Sequence, residues 1–220
     1  MIYNKNFLFS IAVDGGSASG KTTGSKIISK NFGFHLLSSG KLYRYVAYKL
    51  IQDKKKITHK LYLKKLTKKI TLNKLKSNKL YNNNVTNLAS SIAKIKFIRN
   101  LLKKYQKNFL LKKKIIIEGR DIASKIIPNA DLKLFFYCSI KQKAKRRFKE
   151  FKKKNKKITL KEVEKALKKR DFMDKNRKES PLLFVRGAVL VNTTKINKKQ
   201  MEDKLNNLVK KAIIKKYGNL

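Results

Sequence analysis

The sequence predicts an α/β domain in which a parallel sheet of five strands lies between layers of helices. Short apolar runs rich in β-branched and aromatic residues alternate with segments of helical periodicity along the chain. The 220 residues suit a single domain, 1–220, with small insertions and a sizeable core. The first apolar run leads directly into a glycine-containing loop, as strands of this fold class often do before a helix.

The individual elements follow from periodicity and from residue type. The predicted strands are Phe7–Val13, His35–Leu37, Ile115–Ile117, Leu132–Tyr137 and Ala188–Val191. The predicted helices are Lys21–Phe32, Lys41–Gln52, Val85–Phe109, Ser139–Lys152, Leu160–Lys169 and Lys198–Lys215, with Ser139 as an N-cap. Because a parallel sheet places the carboxyl ends of its strands at one edge, we expect the functional site there.

Two segments interrupt the alternation of strands and helices. Asp53–Asn84 is polar and rich in lysine, with only faint alternation, and it predicts an inserted flap at residues 53–84. Lys152–Arg177 is highly charged around a helical centre, and it predicts a lid at residues 152–177. The segments therefore predict two additions to one domain.

The chain is strongly basic, with 58 Lys and Arg residues against 13 Asp and Glu residues and a formal charge of +45. Such a charge often indicates a nucleic-acid or anionic membrane surface. Here the lysines are spread along the whole chain, which favours a solvated lysine surface over a specific interface. Only eight basic residues are arginines, and these are informative because arginine alone offers a planar, bidentate donor.

Cysteine content and hydropathy bear on the compartment. Cys138 is the single cysteine, so no internal disulfide can form, and its place after an apolar run predicts a packed core thiol. No stretch reaches the ~20 apolar residues of a membrane-spanning helix. We therefore expect a cytoplasmic protein without a membrane partner.

Residues Gly15–Thr23 read GGSASGKTT and match the phosphate-loop pattern G-x-x-x-x-G-K-[ST]. The glycines let the backbone curl so that successive N–H groups point at phosphate oxygens, and the following helix adds its positive end. Lys21 would supply a charge for the β- and γ-phosphates, and the Thr22 hydroxyl would ligate Mg²⁺. The loop therefore predicts a polyphosphate ligand.

Further polar residues stand where predicted strands end. Ser38-Ser39-Gly40 leads into Tyr43 and Arg44, and Glu118-Gly119-Arg120-Asp121 follows the third strand. A charged run, Arg170–Arg177, closes the predicted lid, and salt bridges at i,i+3 or i,i+4 spacing could explain it without a ligand. Seven of the eight arginines lie in these clusters or on neighbouring helices, which favours phosphate contacts over solvated charge.

Taken in order, the motifs resemble those of the bacterial cytidylate kinases from Ile11 to Thr194. They are G-x-x-x-x-G-K-T-T, S-S-G-x-x-Y-R, the pair Ala89-Ser90 followed by Arg99, E-G-R-D, and R-D-x-x-D-x-N-R-x-x-x-P-L. Many kinases share the phosphate loop, whereas E-G-R-D-I together with R-D-x-x-D-x-N-R is much more specific. The resemblance implies the three-layer P-loop NTPase fold with a flap that binds the nucleoside monophosphate and a helical lid. It also implies Mg-ATP-dependent phosphorylation of CMP and dCMP.

The resemblance assigns roles to named residues. ATP would be bound by Gly15, Gly16, Ser17, Ala18, Ser19, Gly20, Lys21, Thr22 and Thr23, with Arg146 on the donor side and Mg²⁺ held by Thr22 and the ATP phosphates. CMP would be bound by Ser39, Tyr43, Arg44, Ser90, Arg99, Arg120, Asp121, Asp174 and Arg177. The residues that would stabilise the transferring phosphoryl group are Lys21, Arg120, Arg170 and Arg177.

Four positions depart from the family pattern. Gly16 stands where proline is usual, Ser38 where aspartate is common, Met173 where arginine is frequent, and Asn192 where aspartate follows the last strand. These departures leave the reaction class intact and bear on the phosphate contacts.

Two other functions stay open at this point. One is a kinase of another small acceptor, such as another nucleotide or shikimate, on the same sheet. The other is a basic nucleic-acid-associated NTPase, which would show a basic stripe interleaved with stacking aromatic residues. The sequence shows diffuse lysine instead. We therefore expect a monomer whose partners are ATP and CMP or dCMP, with no specific nucleic acid.

Overall fold

The computed structural model describes residues 7–152 and 157–218 of the chain. The strands are β1 (Phe9–Gly15), β2 (His35–Ser38), β3 (Lys114–Gly119), β4 (Leu132–Tyr137) and β5 (Ala188–Asn192). The helices are α1 (Lys21–Phe32), α2 (Ser39–Gln52), α3 (Lys60–Lys68), α4 (Asn83–Ile92), α5 (Lys96–Phe109), α6 (Ile140–Lys152), α7 (Leu160–Asn176) and α8 (Lys198–Tyr217). Two compact units emerge: unit 1 runs to Leu36 and resumes at Lys112, and unit 2 spans Leu37–Leu111.

The strands form one sheet in the order β2-β3-β1-β4-β5. β1 pairs in parallel with β3 on one side and with β4 on the other, so that Ile11 lies opposite both Ile116 and Leu132. β4 pairs in parallel with β5. A strand enclosed between two neighbours and covered by helices is buried along its length, which explains the continuous apolar run of β1. The predicted fold class is confirmed.

The core of unit 1 joins the first strand of the sheet to the last helix. Side chains of β1 and β4 pack with α1 and with the apolar stripe of α8, which includes Leu205 and Ile213. The end of α8 is tied to the segment before β1, because Lys216 Nζ and the Tyr217 hydroxyl both donate to the Leu8 carbonyl oxygen. α8 therefore holds the strand that leads into the phosphate loop.

One predicted helix is wrong in its extent. The helix expected over Val85–Phe109 is two helices, α4 and α5, separated by a turn in which Ile95 has extended backbone angles. The Arg99 side chain donates from Nη1 to the Ala93 carbonyl oxygen at 2.8 Å, satisfying a carbonyl at the end of α4. No glycine or proline marks the break, so the apolar periodicity runs across it.

The two predicted insertions are largely helical. The segment expected as a flap contains α3 and two short 3₁₀ turns, Lys74–Lys76 and Asn78–Tyr81. The lid prediction contains α7, which continues to Asn176, beyond the predicted end at Lys169. Residues 153–156 of the predicted lid lie outside the described residues. The roles and limits of both insertions stay predictions. None of the helices in the described ranges has the length and apolar character to cross a membrane.

Candidate active site

The phosphate loop connects β1 to α1 as the sequence predicts. Gly15 has a φ of 152°, Ala18 a φ of 55° and Gly20 a φ of 90°, so the chain turns through conformations that most side chains disfavour. A Cβ atom at Gly15 would lie 2.4 Å from the Phe136 carbonyl oxygen, which makes glycine necessary there. Because α1 begins at Lys21, the unpaired N–H groups of its first turn lie at the end of this loop.

Lys21 is buried beside the loop, and its Nζ donates to the Gly16 carbonyl oxygen at 3.1 Å. Burial lowers the pKa of Lys21 to about 7, and the nearby Arg120 charge acts in the same direction. The Glu118 carboxylate opposes this shift without reversing it. The phosphate-loop lysine is therefore close to half-charged at neutral pH until an anion arrives.

Thr22 and Glu118 form a pair of oxygen donors next to the loop. The Thr22 hydroxyl lies 2.8 Å and 3.0 Å from the two carboxylate oxygens of Glu118. Glu118 ends the buried part of β3 and is 2% exposed. Sequence reasoning quoted Glu118 only within a motif, although its position at a strand end was a usable signal.

Asp14 is a buried residue that sequence reasoning missed. Its carboxylate accepts hydrogen bonds from the N–H groups of Ile122 at 2.9 Å and Ala123 at 2.8 Å. Burial raises the pKa of Asp14 to about 6, while these two donors act to lower it. The contact fixes a π-helical turn, Ile122–Ile126, directly after Arg120 and Asp121. Asp14 thus positions the E-G-R-D segment from the neighbouring strand.

The charged run of α7 meets the E-G-R-D segment. Arg120 Nε lies 2.7 Å from Asp174 Oδ2, and Arg177 Nη1 lies 3.8 Å from Asp174 Oδ1. Burial acts to raise the pKa of Asp174, but Arg120, Arg170 and Arg177 outweigh it and hold that pKa below its usual value. The structure therefore brings together four predicted site residues in unit 1, and the strongest contact joins distant parts of the chain.

A second ion pair reaches the phosphate loop from the same helix. Lys143 Nζ lies 2.6 Å from Asp171 Oδ2, and Asp171 Oδ1 accepts a hydrogen bond from the Ser17 N–H at 3.2 Å. Lys143 stands on α6 and is 7% exposed. Sequence reasoning did not select Lys143 or Asp171, because lysine is abundant and their contact spans 28 residues.

Arg146, predicted on the donor side, is fixed beside the loop through Thr193. Its Nη2 donates to the Thr193 carbonyl oxygen at 2.6 Å and its Nη1 to the Thr193 hydroxyl at 3.0 Å. The same hydroxyl donates to the Ser19 carbonyl oxygen at 2.9 Å. Arg146 also approaches Cys138, whose thiol is buried as predicted.

In unit 2, the predicted base-binding residues form local contacts. Ser39 is buried at the start of α2, and its hydroxyl accepts a hydrogen bond from Gln106 Nε2 at 2.6 Å. The Arg99 guanidinium lies 5.6 Å from the centre of the Tyr43 ring, a cation–π distance. Ser90 belongs to α4 and donates to the carbonyl oxygen one turn back, at Thr86. Gln106 was not predicted, since glutamine has no motif of its own.

Arg44 is held by the segment that the sequence described as a flap. Its Nη1 donates to the Leu80 carbonyl oxygen at 2.9 Å and to the Thr86 hydroxyl at 2.8 Å. Its guanidinium also lies 5.1 Å from the centre of the Tyr81 ring. These contacts orient Arg44 within unit 2.

Comparison with known proteins matches these features to one family. The sequence model of cytidylate kinase matches residues 11–211, which is most of the chain. The chain belongs to the cytidylate kinase family. It is therefore a phosphotransferase of the nucleoside monophosphate kinase type, as the resemblance implied.

Individual relatives support the same membership. The chain is 34% identical over 212 residues to a cytidylate kinase of Fusobacterium nucleatum, covering 91% of this chain and 95% of the relative. It is 37% identical over 206 residues to a cytidylate kinase of Rickettsia rickettsii, covering 93% of each. Among solved structures, a gluconokinase of Sinorhizobium meliloti matches with a TM-score of 0.50 at 12% identity, covering 98% of this chain and 100% of that one. This last likeness supports the fold.

Proposed function

We propose that this protein transfers the γ-phosphoryl group of Mg-ATP to CMP and dCMP, giving CDP and dCDP. The observation that carries the proposal is the contact of the E-G-R-D segment with α7 through Arg120 and Asp174, beside the phosphate-loop lysine. The phosphate loop alone supports any kinase or NTPase. The Arg120–Asp174 contact joins the two motifs that distinguish this family from other P-loop kinases.

The donor nucleotide is assigned to unit 1. The N–H groups of Gly15–Thr23 and the start of α1 offer an electropositive cradle for ATP phosphates. Lys21 adds a charge that burial makes more effective once an anion is present. Arg146 is held near Ser19 by Thr193, which supports its assignment to the donor side.

The oxygen donors next to the loop fit Mg²⁺. Mg²⁺ prefers hard oxygen ligands and is commonly held by the phosphate-loop Ser or Thr with a carboxylate from a neighbouring strand. The Thr22 hydroxyl and the Glu118 carboxylate, 2.8 Å apart, meet that description. Mg²⁺ bound there with ATP would neutralise charge on the phosphate oxygens.

The acceptor nucleotide is assigned to residues of both sequence clusters. Arg44, Arg120 and Arg177 are proposed to hold the acceptor phosphate, and Asp174 to lie near the ribose. The base is assigned to four residues, with Tyr43 alongside: Ser39, Ser90, Arg99 and Asp121. The buried Ser39–Gln106 hydrogen bond and the Tyr43–Arg99 stacking support a preorganised base site within unit 2.

The chemistry requires positioning more than covalent participation by the protein. An oxygen of the acceptor phosphate attacks the γ-phosphorus in line, and it needs no obligatory base because a monophosphate is largely ionised near neutral pH. Lys21, Arg120, Arg170 and Arg177 are proposed to neutralise the transferring group. Asp174 keeps the Arg120 guanidinium in one orientation, so that little reorganisation is needed during transfer.

Base choice follows from hydrogen-bond complementarity. Cytosine offers an N4 amine donor beside its N3 and O2 acceptors, whereas uracil presents O4 and N3–H in the corresponding places. An aspartate that accepts from the amine and an arginine that donates to N3 or O2 would favour cytosine. With Asp121 and Arg99 in these roles, CMP and dCMP should be much better substrates than UMP.

A substrate panel tests the proposed function. ADP release from Mg-ATP should be measured with CMP, dCMP, UMP, AMP, dTMP and shikimate offered separately, and we expect strong activity with the first two alone. Equal turnover of UMP and CMP would contradict the base assignment. Activity that requires RNA and is absent with every small acceptor would overturn the whole proposal.

A variant sharpens the same test. Arg99→Ala should raise the KM for CMP while the Kd for Mg-ATP stays unchanged, because Arg99 contacts Tyr43 and Ala93 within unit 2. Arg147→Ala is the matched control, since Arg147 pairs with the exposed Glu150 side chain on α6. A parallel loss in both variants would assign the effect to general charge instead of base binding.

A further inference from the structure

The Lys143–Asp171 pair occupies an unusual place for a structural ion pair. One carboxylate oxygen of Asp171 accepts the Ser17 N–H, which belongs to the loop whose N–H groups serve phosphate oxygens. The other oxygen meets Lys143 Nζ at 2.6 Å. An anionic oxygen with a backbone N–H on one side and an ammonium on the other has the surroundings of a bound phosphate oxygen.

Gly16 provides the space for this arrangement. A Cβ atom at Gly16 would lie 2.9 Å from Asp171 Oδ1, 2.9 Å from Lys143 Nζ and 3.3 Å from Asp171 Oδ2. Any side chain at this position would therefore displace the ion pair from the loop. The residue that departs from the family pattern is thus the one on which the close approach of Asp171 depends.

We propose that Asp171 is an internal stand-in for nucleotide phosphate, and that Lys143 passes from Asp171 to the donor phosphates when ATP binds. The proposal rests on the assignment of ATP to the loop and adds a binding residue, Lys143, together with a tethered competitor. Asp171 keeps the Ser17 N–H and the buried Lys143 paired while no nucleotide is present. ATP must displace it.

Polyphosphate is the stronger partner for both groups. A Mg-ATP phosphate chain carries more charge than one carboxylate and meets several loop N–H groups together. Lys143 would otherwise be a buried cation without a partner after displacement, a state that costs several kcal/mol. Transfer of Lys143 to the phosphates avoids that cost, so displacement of Asp171 and engagement of Lys143 belong to one event.

The competitor lowers the apparent affinity for ATP by the fraction of molecules in which Asp171 covers the loop. Neutralising Asp171 should therefore tighten ATP binding, whereas removing Lys143 should weaken it. A purely structural ion pair predicts something else. Loss of either partner would then leave the other charge buried and destabilise the fold, and no variant would bind ATP more tightly.

The first experiment compares two charge-matched variants of the full chain. The Kd for Mg-ATP, without CMP, should be measured by calorimetry for wild type, Asp171→Asn and Asp203→Asn. Asp203 is exposed on α8 and controls for the change in net charge. We expect a Kd about fivefold lower for Asp171→Asn and unchanged for Asp203→Asn, a shift equivalent to a competent fraction of about one fifth in wild type. An unchanged or higher Kd for Asp171→Asn overturns the stand-in role.

A second experiment removes the contact without changing any charge. Gly16→Ala should also lower the Kd, because its methyl group pushes Asp171 from Ser17, and it should add nothing in the Asp171→Asn background. Lys143→Met should raise the Kd by about fivefold, the loss of one charge-assisted contact, with Lys204→Met on the exposed face of α8 as control. Additive effects of Gly16→Ala and Asp171→Asn, or an unchanged Kd for Lys143→Met, would refute the proposal.

Thermal melts without nucleotide confirm that each variant is folded before its Kd is interpreted. The outcomes also separate this proposal from the proposed function. A wild-type protein that binds Mg-ATP but phosphorylates neither CMP nor dCMP contradicts the function alone. A wild-type protein that phosphorylates CMP while the variants keep its ATP affinity contradicts the stand-in alone.

Discussion

The phosphate loop and the charged run of α7 lie in the same unit but are built in different ways. The geometry of the loop comes from its backbone: Gly15, Ala18 and Gly20 adopt positive φ angles within six consecutive residues. The geometry of the α7 run comes from side chains that reach distant segments, as Asp174 does to Arg120 and Asp171 to Lys143. The first region depends on local sequence and the second on the finished fold.

The difference explains how much of each region could be recognised. A backbone-determined site leaves a contiguous motif, because its residues must be neighbours. A site determined by side chains leaves scattered charges whose partners are hidden. The two regions should also respond differently to substitution, since a lost loop group has no substitute, whereas a charged side chain on α7 has neighbours of the same sign.

The largest effect is expected from the loop. Lys21→Met should reduce kcat with CMP by about a thousandfold, because it removes a buried donor aimed at the transferring phosphoryl group. Steady-state kinetics check this value, with Lys26→Met on the exposed face of α1 as the matched control. A loss below tenfold would place Lys21 outside the chemistry and erase the contrast with α7.

A smaller effect is expected from the meeting point of E-G-R-D and α7. Arg120→Lys should lower kcat/KM for CMP by about thirtyfold, because lysine keeps the charge but loses the planar fork held by Asp174. The measurement is a CMP titration at saturating Mg-ATP. Wild-type kinetics in Arg120→Lys would show that charge alone suffices there and that orientation by Asp174 is dispensable.

The pH dependence of ATP binding examines the loop interior. Because burial lowers the pKa of Lys21 to about 7, the ammonium is fully charged below pH 7 and is lost above it in the free protein. The Kd for Mg-ATP should therefore rise with pH, by up to about fivefold between pH 7 and pH 8.

Lys21→Arg is the control for this dependence, since arginine stays charged over that range. Its Kd should be flat with pH, whatever its absolute value. An equally steep profile in Lys21→Arg would assign the titration to another group.

The smallest effect is expected at the start of α7. Thr159 forms a capping box with Glu162, so Thr159→Ala should lower the melting temperature by about 3 °C and leave kcat nearly unchanged. Differential scanning calorimetry checks this, and Thr159→Ser should keep the wild-type value. A large loss of kcat with an unchanged melting temperature would mean that the helix start, and not only its charged end, takes part in catalysis.

The fold was predictable because its signals are periodic and local. β4 and α1 begin and end at the residues that the sequence predicts, since each is bounded by a change in polarity or by a glycine. The single long helix over Val85–Phe109 was wrong because the break at Ile95 is made by hydrogen bonds, including the one from Arg99, and leaves the apolar spacing intact.

The site was predictable where a motif carried it. Lys21, Thr22, Arg120 and Asp174 stand in patterns whose chemistry is readable from residue type and spacing. Asp14, Lys143 and Gln106 are absent from every such pattern, because their roles arise from partners between 28 and 109 residues away. Nothing local distinguishes Lys143 among the many lysines of this chain.

The attachment of α8 to the first strand has a consequence for biosynthesis. β1 lies at the centre of the sheet and carries the phosphate loop, yet part of its cover comes from Leu205, Ile213 and Tyr217 near the other end of the chain. A nascent chain that has exposed β1 to the cytosol must wait for some two hundred further residues before α8 leaves the ribosome. The nucleotide-binding strand should therefore be among the last parts of the protein to become protease-resistant during translation.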